Sequence, residues 1–215
     1  MKNKILEMLK LQDKMNNSVN PDWRTANYTW TDAIMMEAME AIEHEGTWKW
    51  WKKQEPNIEQ AKMELVDIWH FALSNAMVAT RDDMTLEQLA DDLATHIKKE
   101  QWQSEIHISF VDYMRQVVAT AANGAFSAPS FFLAMHKIGL SFDDLYIQYI
   151  AKNCLNLFRQ ANGYKEGTYI KIWGLEEDNV HLTRFLHTHP EIQGDNFYQD
   201  LYQLLTDDYY YYSGK

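Results

Sequence analysis

The chain has 215 residues, of which 46% are hydrophobic and 13% aromatic, so it can bury a full core. Its 20 Lys and Arg residues against 31 Asp and Glu residues give a net charge of −11, which argues against polymeric nucleic acid as a partner because phosphate neutralisation needs a basic surface. Few glycines and prolines argue against a β-sandwich or barrel, and the single cysteine, Cys154, excludes an internal disulfide and a thiolate zinc site. A cytoplasmic protein without a membrane span is expected.

Helical periodicity predicts an all-α fold, a helical bundle forming one domain over residues 1–215. The first helix is expected over about residues 3–15, where apolar side chains recur at helical spacing and Asn16–Asn17 ends the pattern. A second helix should begin near Thr31, a suitable N-cap, and end near Gly46.

A third helix is predicted over about residues 58–79, whose middle is apolar except for two carboxylates and a histidine. Residues 162–180 are rich in Gly, Lys and Tyr and are expected to form an ordered loop. Further helices are predicted at residues 85–99, 105–121, 141–161 and 196–206.

Two pairs of carboxylates mark the second and third helices. Glu37 and Glu40 are three residues apart, as are Glu64 and Asp67, and residues at this spacing share one helix face. The second pair interrupts an apolar run, where an unpaired charge is costly to bury. Four converging carboxylates would suit Mg²⁺ or Mn²⁺. Solvated helix faces remain an alternative, and a di-iron carboxylate site is weakly supported because the chain has no Glu-x-x-His motif.

A basic group stands out in this acidic chain. Residues 152–171 have a local balance of +3, and Lys152, Asn156 and Arg159 share one helix face. Lys165 follows in a Gly-flanked loop. Such a group can bind a polyphosphate, and its combination with carboxylates and Mg²⁺ is typical of phosphoanhydride cleavage. A solvated charged face is the plainer interpretation of the basic group alone.

Amide and aromatic side chains indicate a base pocket. Gln12 and Asn16 lie four residues apart on the first helix, and their amides could read a nucleobase edge. His70 could point at the same ligand, although a buried histidine bonded within the core is the commoner case. Three tryptophans could wall the pocket, although core packing would also explain them: Trp48, Trp50 and Trp51.

These residues fall into five blocks that together resemble the dimeric all-α dUTPases. The ExxE…ExxD core alone is shared by the wider MazG-like all-α NTP pyrophosphohydrolases. The blocks are LKLQDKMN (Leu9–Asn16), MEAMEAIEHEGTWKWWKK (Met36–Lys53), ELVDIWHF (Glu64–Phe71), KNCLNLFRQANGYKEGTY (Lys152–Tyr169) and IKIWGLEEDN (Ile170–Asn179).

The resemblance implies a homodimer that cleaves dUTP and dUDP to dUMP, with the loop over residues 162–179 as a lid. Glu40 would deprotonate the attacking water, and attack would fall on the β-phosphorus. The implied catalytic Mg²⁺ ligands are Glu37, Glu40, Glu64 and Asp67. The implied base and sugar contacts are Gln12, Asn16, Trp50, His70, Phe71 and Asn156, and the implied phosphate contacts are Lys152, Arg159, Tyr164, Lys165 and Lys171.

Two alternatives to a dUTPase stay open at this point. A dCTP or broader NTP pyrophosphohydrolase would keep the chemistry and change the base. A non-enzymatic helical binding protein would leave the carboxylates solvated and use its Trp and Tyr surfaces to hold a partner.

Overall fold

A computed structural model of the chain describes residues 1–80, 83–99, 107–189 and 196–213. These residues form nine helices and one two-stranded antiparallel hairpin, which confirms the all-α prediction. The elements are α1 (Lys2–Val19), α2 (Trp30–Glu45), α3 (Ile58–Ala79), α4 (Leu86–Lys99), α5 (Phe110–Ala122), α6 (Ala128–Lys137), α7 (Phe142–Ala161), β1 (Ile172–Trp173), β2 (Glu176–Glu177), α8 (Asp178–Thr188) and α9 (Phe197–Ser213).

The predicted end of α1 was wrong, whereas α2 begins within one residue of the predicted start and differs in its N-cap. Helix α1 continues to Val19 because Asn16 is buried and bonded within the core, so it does not end the helix. Helix α2 begins at Trp30 with Thr29 as its N-cap, ahead of Thr31. The bounds of α3 agree with the prediction at both ends.

Other differences lie in the second half of the chain. Helix α5 begins at Phe110 because Ser109 and Asp112 form a capping box, and residues 105–106 of the predicted helix lie outside the described residues. Helices α6 and α8 were not predicted. The expected loop over residues 162–180 contains the hairpin and the first turn of α8.

Helix α7 joins two clusters of buried apolar side chains. The larger cluster is built mainly by α1, α2, α3, α5 and α6, and Tyr149 of α7 belongs to it. The smaller cluster gathers the hairpin, α8 and α9 around Phe158, at the other end of α7. The face of α7 between these two positions therefore lies where the two clusters meet.

None of the helices in the described part of the chain combines the length and the apolar composition that crossing a membrane requires.

Candidate functional site

Three carboxylates meet where α2 packs along α3. Glu37 and Glu40 of α2 and Glu64 of α3 each place one oxygen within 4.8 Å of the others. Glu64 is only 8% exposed, which excludes a solvated face for this residue. His44 lies beside it, with Nε2 3.3 Å from the Glu64 carboxylate.

The cluster is electrostatically unfavourable without a cation. Burial, reinforced by the negative charge of Asp67, raises the pKa of Glu64 to about 8. The same two causes, with Glu40 adding to them, raise the pKa of Glu37 to about 7. A divalent cation would relieve both the repulsion and the desolvation, and three carboxylate oxygens are a donor set that suits Mg²⁺. Glu37, Glu40 and Glu64 therefore fit such an ion.

Asp67, the fourth predicted ligand, differs from the other three. Its Oδ2 lies 2.8 Å from Nζ of Lys152, and both side chains are largely buried. Removing either partner of a buried ion pair leaves the other charge buried and unpaired, which strongly destabilises the protein. Lys152 of α7 is thus placed at the edge of the carboxylate cluster, as the counter-ion of Asp67.

Two adjoining cavities surround these groups. A cleft of about 510 Å³ contains the carboxylates and the cations Lys152 and Lys171. A pocket of about 360 Å³ lies beside it, between α1, α3 and α7. Asp67, Arg159 and Tyr164 line both cavities, so the two spaces are contiguous. The pocket is otherwise walled by Gln12, Met15, Asn16, Val19, Trp23, Tyr28, Trp30, His70, Phe71, Asn156 and Gln160.

A chain of hydrogen bonds fixes the two predicted amides of the pocket. Ser74 Oγ donates to the His70 carbonyl, so it accepts from Asn16 Nδ2 at 3.0 Å. Asn16 Oδ1 accepts from Gln12 Nε2 at 2.9 Å, and Gln12 Oε1 accepts from the Tyr149 hydroxyl at 2.8 Å. Each amide nitrogen therefore keeps one N–H for a ligand.

His70 presents a hydrogen-bond acceptor. Burial lowers its pKa to about 4, so the ring is neutral at pH 7. Nδ1 lies 2.9 Å from the Val66 carbonyl and must carry the proton, while Nε2 is buried and has no partner among the described residues. The ring stacks on Tyr149 at 4.0 Å, which holds it in place. The pocket thus combines two free N–H donors with one free nitrogen acceptor.

Arg159 is more constrained than a phosphate-binding arginine would be. Its Nε and Nη2 donate to the two carboxylate oxygens of Asp178, at 2.8 and 2.6 Å. Nη1 donates to Asn156 Oδ1 at 3.1 Å, and Nη2 also donates to Asn179 Oδ1 at 3.2 Å. Four of the five guanidinium N–H groups are therefore used within the protein.

Two predicted site residues lie away from the cavities of this chain. Trp50 is 88% exposed and does not line the pocket. Lys165 donates to the Val19 carbonyl at 2.9 Å and does not line the cleft. Lys171 does line the cleft, where it pairs with Glu177 at 2.8 Å.

The aromatic walls come from the α1–α2 connection, which the sequence analysis did not consider. Trp23 and Trp30 meet edge to face at 5.9 Å, and Trp30 lies 6.3 Å from Phe71. Two tryptophans and a tyrosine within residues 23–30 of a polar connecting segment were the available signal. Ser74 had no comparable sequence signal, whereas Asp178 lies in the block Ile170–Asn179 on which the resemblance rests.

The comparison with known families identifies one match. The family model described as dUTPase matches residues 4–164 of the chain, about three quarters of its length. No match was found among curated proteins. The matched range includes the carboxylates and all the pocket residues named above, whereas Lys171, Asp178 and Asn179 lie beyond it.

Proposed function

This chain belongs to the dUTPase family and hydrolyses dUTP, and we propose that it converts dUTP, and also dUDP, to dUMP in a Mg²⁺-dependent reaction. Family membership makes the non-enzymatic alternative wrong, because the family consists of hydrolases. The observation that carries the proposal is the contiguity of a polar pocket with a carboxylate cleft across Asp67, Arg159 and Tyr164. A nucleoside in the pocket would place its phosphates beside the carboxylates.

The polarity of the pocket supports uracil over cytosine. Uracil presents an acceptor, an N–H donor and a second acceptor along its edge. The free N–H groups of Gln12 and Asn16 match the two acceptors, and Nε2 of His70 matches the donor. Cytosine offers an amino donor and a ring acceptor instead, which would leave buried polar groups unpaired.

The carboxylates and cations have separate tasks in the proposed reaction. Glu37, Glu40 and Glu64 would hold Mg²⁺, which supplies neutralisation of the phosphate charge. Glu40, the exposed member of the cluster, would take the proton of the attacking water. Lys152 and Lys171 would stabilise the phosphate oxygens.

The position of attack accounts for both substrates. Water oxygen would bond to the β-phosphorus, and the bond from that phosphorus to the bridging oxygen would break with the electron pair staying on dUMP. From dUTP the second product is pyrophosphate, and from dUDP it is phosphate. Because the γ-phosphate does not react, its absence is tolerated.

The experiment is a product analysis of dUTP, dUDP, dCTP and dTTP, each with Mg²⁺ and with EDTA. We expect dUMP from dUTP and dUDP with Mg²⁺ only. Hydrolysis of dCTP at a rate equal to that of dUTP would favour the broader pyrophosphohydrolase. Hydrolysis in EDTA would contradict the metal assignment.

We also propose that the protein is a homodimer. Several exposed apolar side chains lie within residues 36–51, where Met36 is 56% and Met39 50% exposed, and where Trp50 is the most exposed of the tryptophans at 88%. Such side chains are typical of a protein–protein interface. Light scattering should give about twice the chain mass of 25.4 kDa, and a mass of one chain would contradict the proposal.

A further inference from the structure

His181 is a buried histidine that lines neither of the two cavities and lies beyond the residues that the family model matches. It is 1% exposed and belongs to α8. Its Nδ1 lies 2.9 Å from Oδ2 of Asp208 in α9, and its Nε2 lies 3.1 Å from the carbonyl oxygen of Trp173 in β1. The two ring nitrogens therefore join three elements of the structure.

Both groups that face the ring are hydrogen-bond acceptors. A carbonyl oxygen carries no proton, and the Asp208 side chain is 32% exposed, so water stabilises its negative charge. A neutral imidazole has one N–H group and one bare nitrogen, so it can satisfy only one of the two contacts. An imidazolium has two N–H groups and satisfies both. The contacts therefore fit the positively charged form of His181.

The aromatic surroundings of the ring also favour a cation. The ring centroids of Trp173 and Tyr212 lie 5.3 and 5.2 Å from that of His181. An aromatic ring attracts a positive charge at such distances because its π-face carries partial negative charge. Two hydrogen bonds and two aromatic neighbours thus offset the cost of burying the imidazolium.

The other charged groups of the neighbouring elements already have partners. Arg184, on the next turn of α8, donates to Glu176 of β2, and its charge also acts on Asp208. Asp178, three residues before the histidine on the same helix, accepts two bonds from Arg159 of α7. Among the described residues, Asp208 is therefore the carboxylate that pairs with the imidazolium.

We propose that His181 is a buried imidazolium that holds the hairpin and α9 against α8, and that this attachment loosens as the pH rises. A histidine in an unfolded chain loses its proton at about pH 6.5. Above that pH the attached ring binds a proton that a released ring does not bind. The free energy of attachment therefore falls as pH rises, until the attached ring is deprotonated as well. The loosening is local, because the three elements surround the smaller apolar cluster.

The attachment also affects the carboxylate cleft, because the hairpin borders it. Lys171, next to β1, and Glu177 of β2 both line the cleft. The hairpin turn packs closely on the end of α9, since a Cβ atom at Gly174 would lie 2.9 Å from the Tyr212 ring. Release of α9 would therefore free this side of the cleft. The inference concerns the free protein and does not depend on which nucleotide the cleft binds.

Nitrogen NMR of the histidine rings measures the charge of His181 directly in the full chain. The signals of His181 are assigned as those that are absent from His181→Gln. We expect both ring nitrogens to carry a proton at pH 7. Asp208→Asn should make the ring neutral at that pH, because the new NH₂ group can donate to a bare Nδ1 while Nε2–H still donates to Trp173.

Hydrogen exchange between pH 6 and pH 9, corrected for the intrinsic rate of each amide, measures the attachment. We expect the protection of the α9 amides to fall at least about tenfold in the wild type and to stay constant in Asp208→Asn. The amides of α3, which belongs to the larger apolar cluster, are the internal reference. Asp207→Asn removes the same charge from an exposed neighbour that accepts from Gln203, so this control should behave as the wild type.

Two results would overturn the inference. One is a wild-type His181 ring with a bare nitrogen at pH 7. The other is a fall in α9 protection that is equal in Asp208→Asn and the wild type, since the pH dependence would then come from other groups. If Asp208→Asn does not fold, the nitrogen spectrum of the wild-type protein still decides whether the ring is charged.

Discussion

Burial favours the neutral form of Glu64, whereas the proposed metal binding requires its ionised carboxylate. Its carboxylate is nearly inaccessible and lies beside two others, which raises its pKa to about 8. Glu64→Gln keeps the shape and removes the charge, so it should lower kcat for dUTP by about 10²-fold or more while preserving the helical circular dichroism signal. Glu59→Gln, on the same helix but paired with Lys62 outside the cluster, is the control and should stay near wild-type activity. A fully active Glu64→Gln enzyme would remove Glu64 from the site.

The raised pKa values of Glu37 and Glu64 predict how stability depends on pH in EDTA. Both values, about 7 and about 8, lie above the ordinary 4.5, so the folded protein binds more protons than the unfolded chain between about pH 4.5 and 8. The free energy of unfolding contributed by these groups therefore falls as pH rises through that window. We expect Tm in EDTA to decrease by several degrees from pH 6 to pH 8.

Saturating Mg²⁺ should abolish most of that decrease, because the bound ion favours the ionised carboxylates. The double variant Glu37→Gln/Glu64→Gln should also lack it. An equal decrease in the double variant would assign the pH dependence to other groups.

Ser74 orients one of the amide donors of the base pocket. It is completely buried and orients Asn16 by accepting from its amide nitrogen. Ser74→Ala should raise KM for dUTP about tenfold with kcat little changed, because the loss of one hydrogen bond releases the amide. Ser18→Ala, at the exposed end of the same α1 helix as Asn16, should leave both constants unchanged. A fall in kcat alone would contradict this role.

The sequence predicted the chemistry of these residues better than their pairing. Gln12, Asn16 and the four acidic residues were found because helical spacing places them on shared faces. The partners Tyr149 and Ser74 lie 137 and 58 residues away along the chain from the amides that they bond, so no local pattern could indicate them. The Lys152–Asp67 pair was missed for the same reason.

At the level of structural elements, the conformation of the loop after α7 depends on one glycine, Gly163. The Gly163 carbonyl accepts from Thr168 N at 2.9 Å and from Tyr169 N at 3.2 Å, which closes the loop beside Tyr164. Gly163 has φ +89, and a Cβ atom there would lie 2.1 Å from Thr168 Oγ1. Both the backbone conformation and the steric contact therefore exclude a larger residue.

Gly163→Ala should raise KM for dUTP at least about tenfold while the bulk of the helical signal remains, because the loop carries Tyr164 into both cavities. Gly167→Ala is a matched control, since φ is +71 there but no atom lies within 4 Å of the added Cβ. Steady-state kinetics of the two variants provide the measurement. Equal effects of both would mean that backbone strain alone, without the clash, determines the outcome.

The long helices were predictable because their apolar stripes span several turns, whereas the shorter elements were not. Helix α6 has ten residues and carries Pro129 in its first turn, so it is too short to show a long apolar stripe. Helix α8 follows directly on a Gly-containing hairpin. Trp50 was assigned to the pocket by the family resemblance, but its 88% exposure follows from tertiary packing, which a sequence motif does not report.

For the molecule as a whole, the net charge of −11 conceals a local arrangement of opposite charges. Folding brings the acidic faces of α2 and α3 against the basic face of α7, so that the four carboxylates of α2 and α3 share one cleft with Lys152 and Arg159 of α7. A cleft of this kind suits a small nucleotide with its cation, while the acidic surface elsewhere disfavours nucleic acid.

We propose that this cleft and its pocket act together as a Mg²⁺-dependent site specific for uracil. The most direct measurement is the ratio of kcat/KM for dUTP to that for dCTP, determined with Mg²⁺ on the full chain. We expect a ratio of about 10² or higher, because cytosine would leave the oriented amides and His70 unpaired. A ratio near one would contradict it.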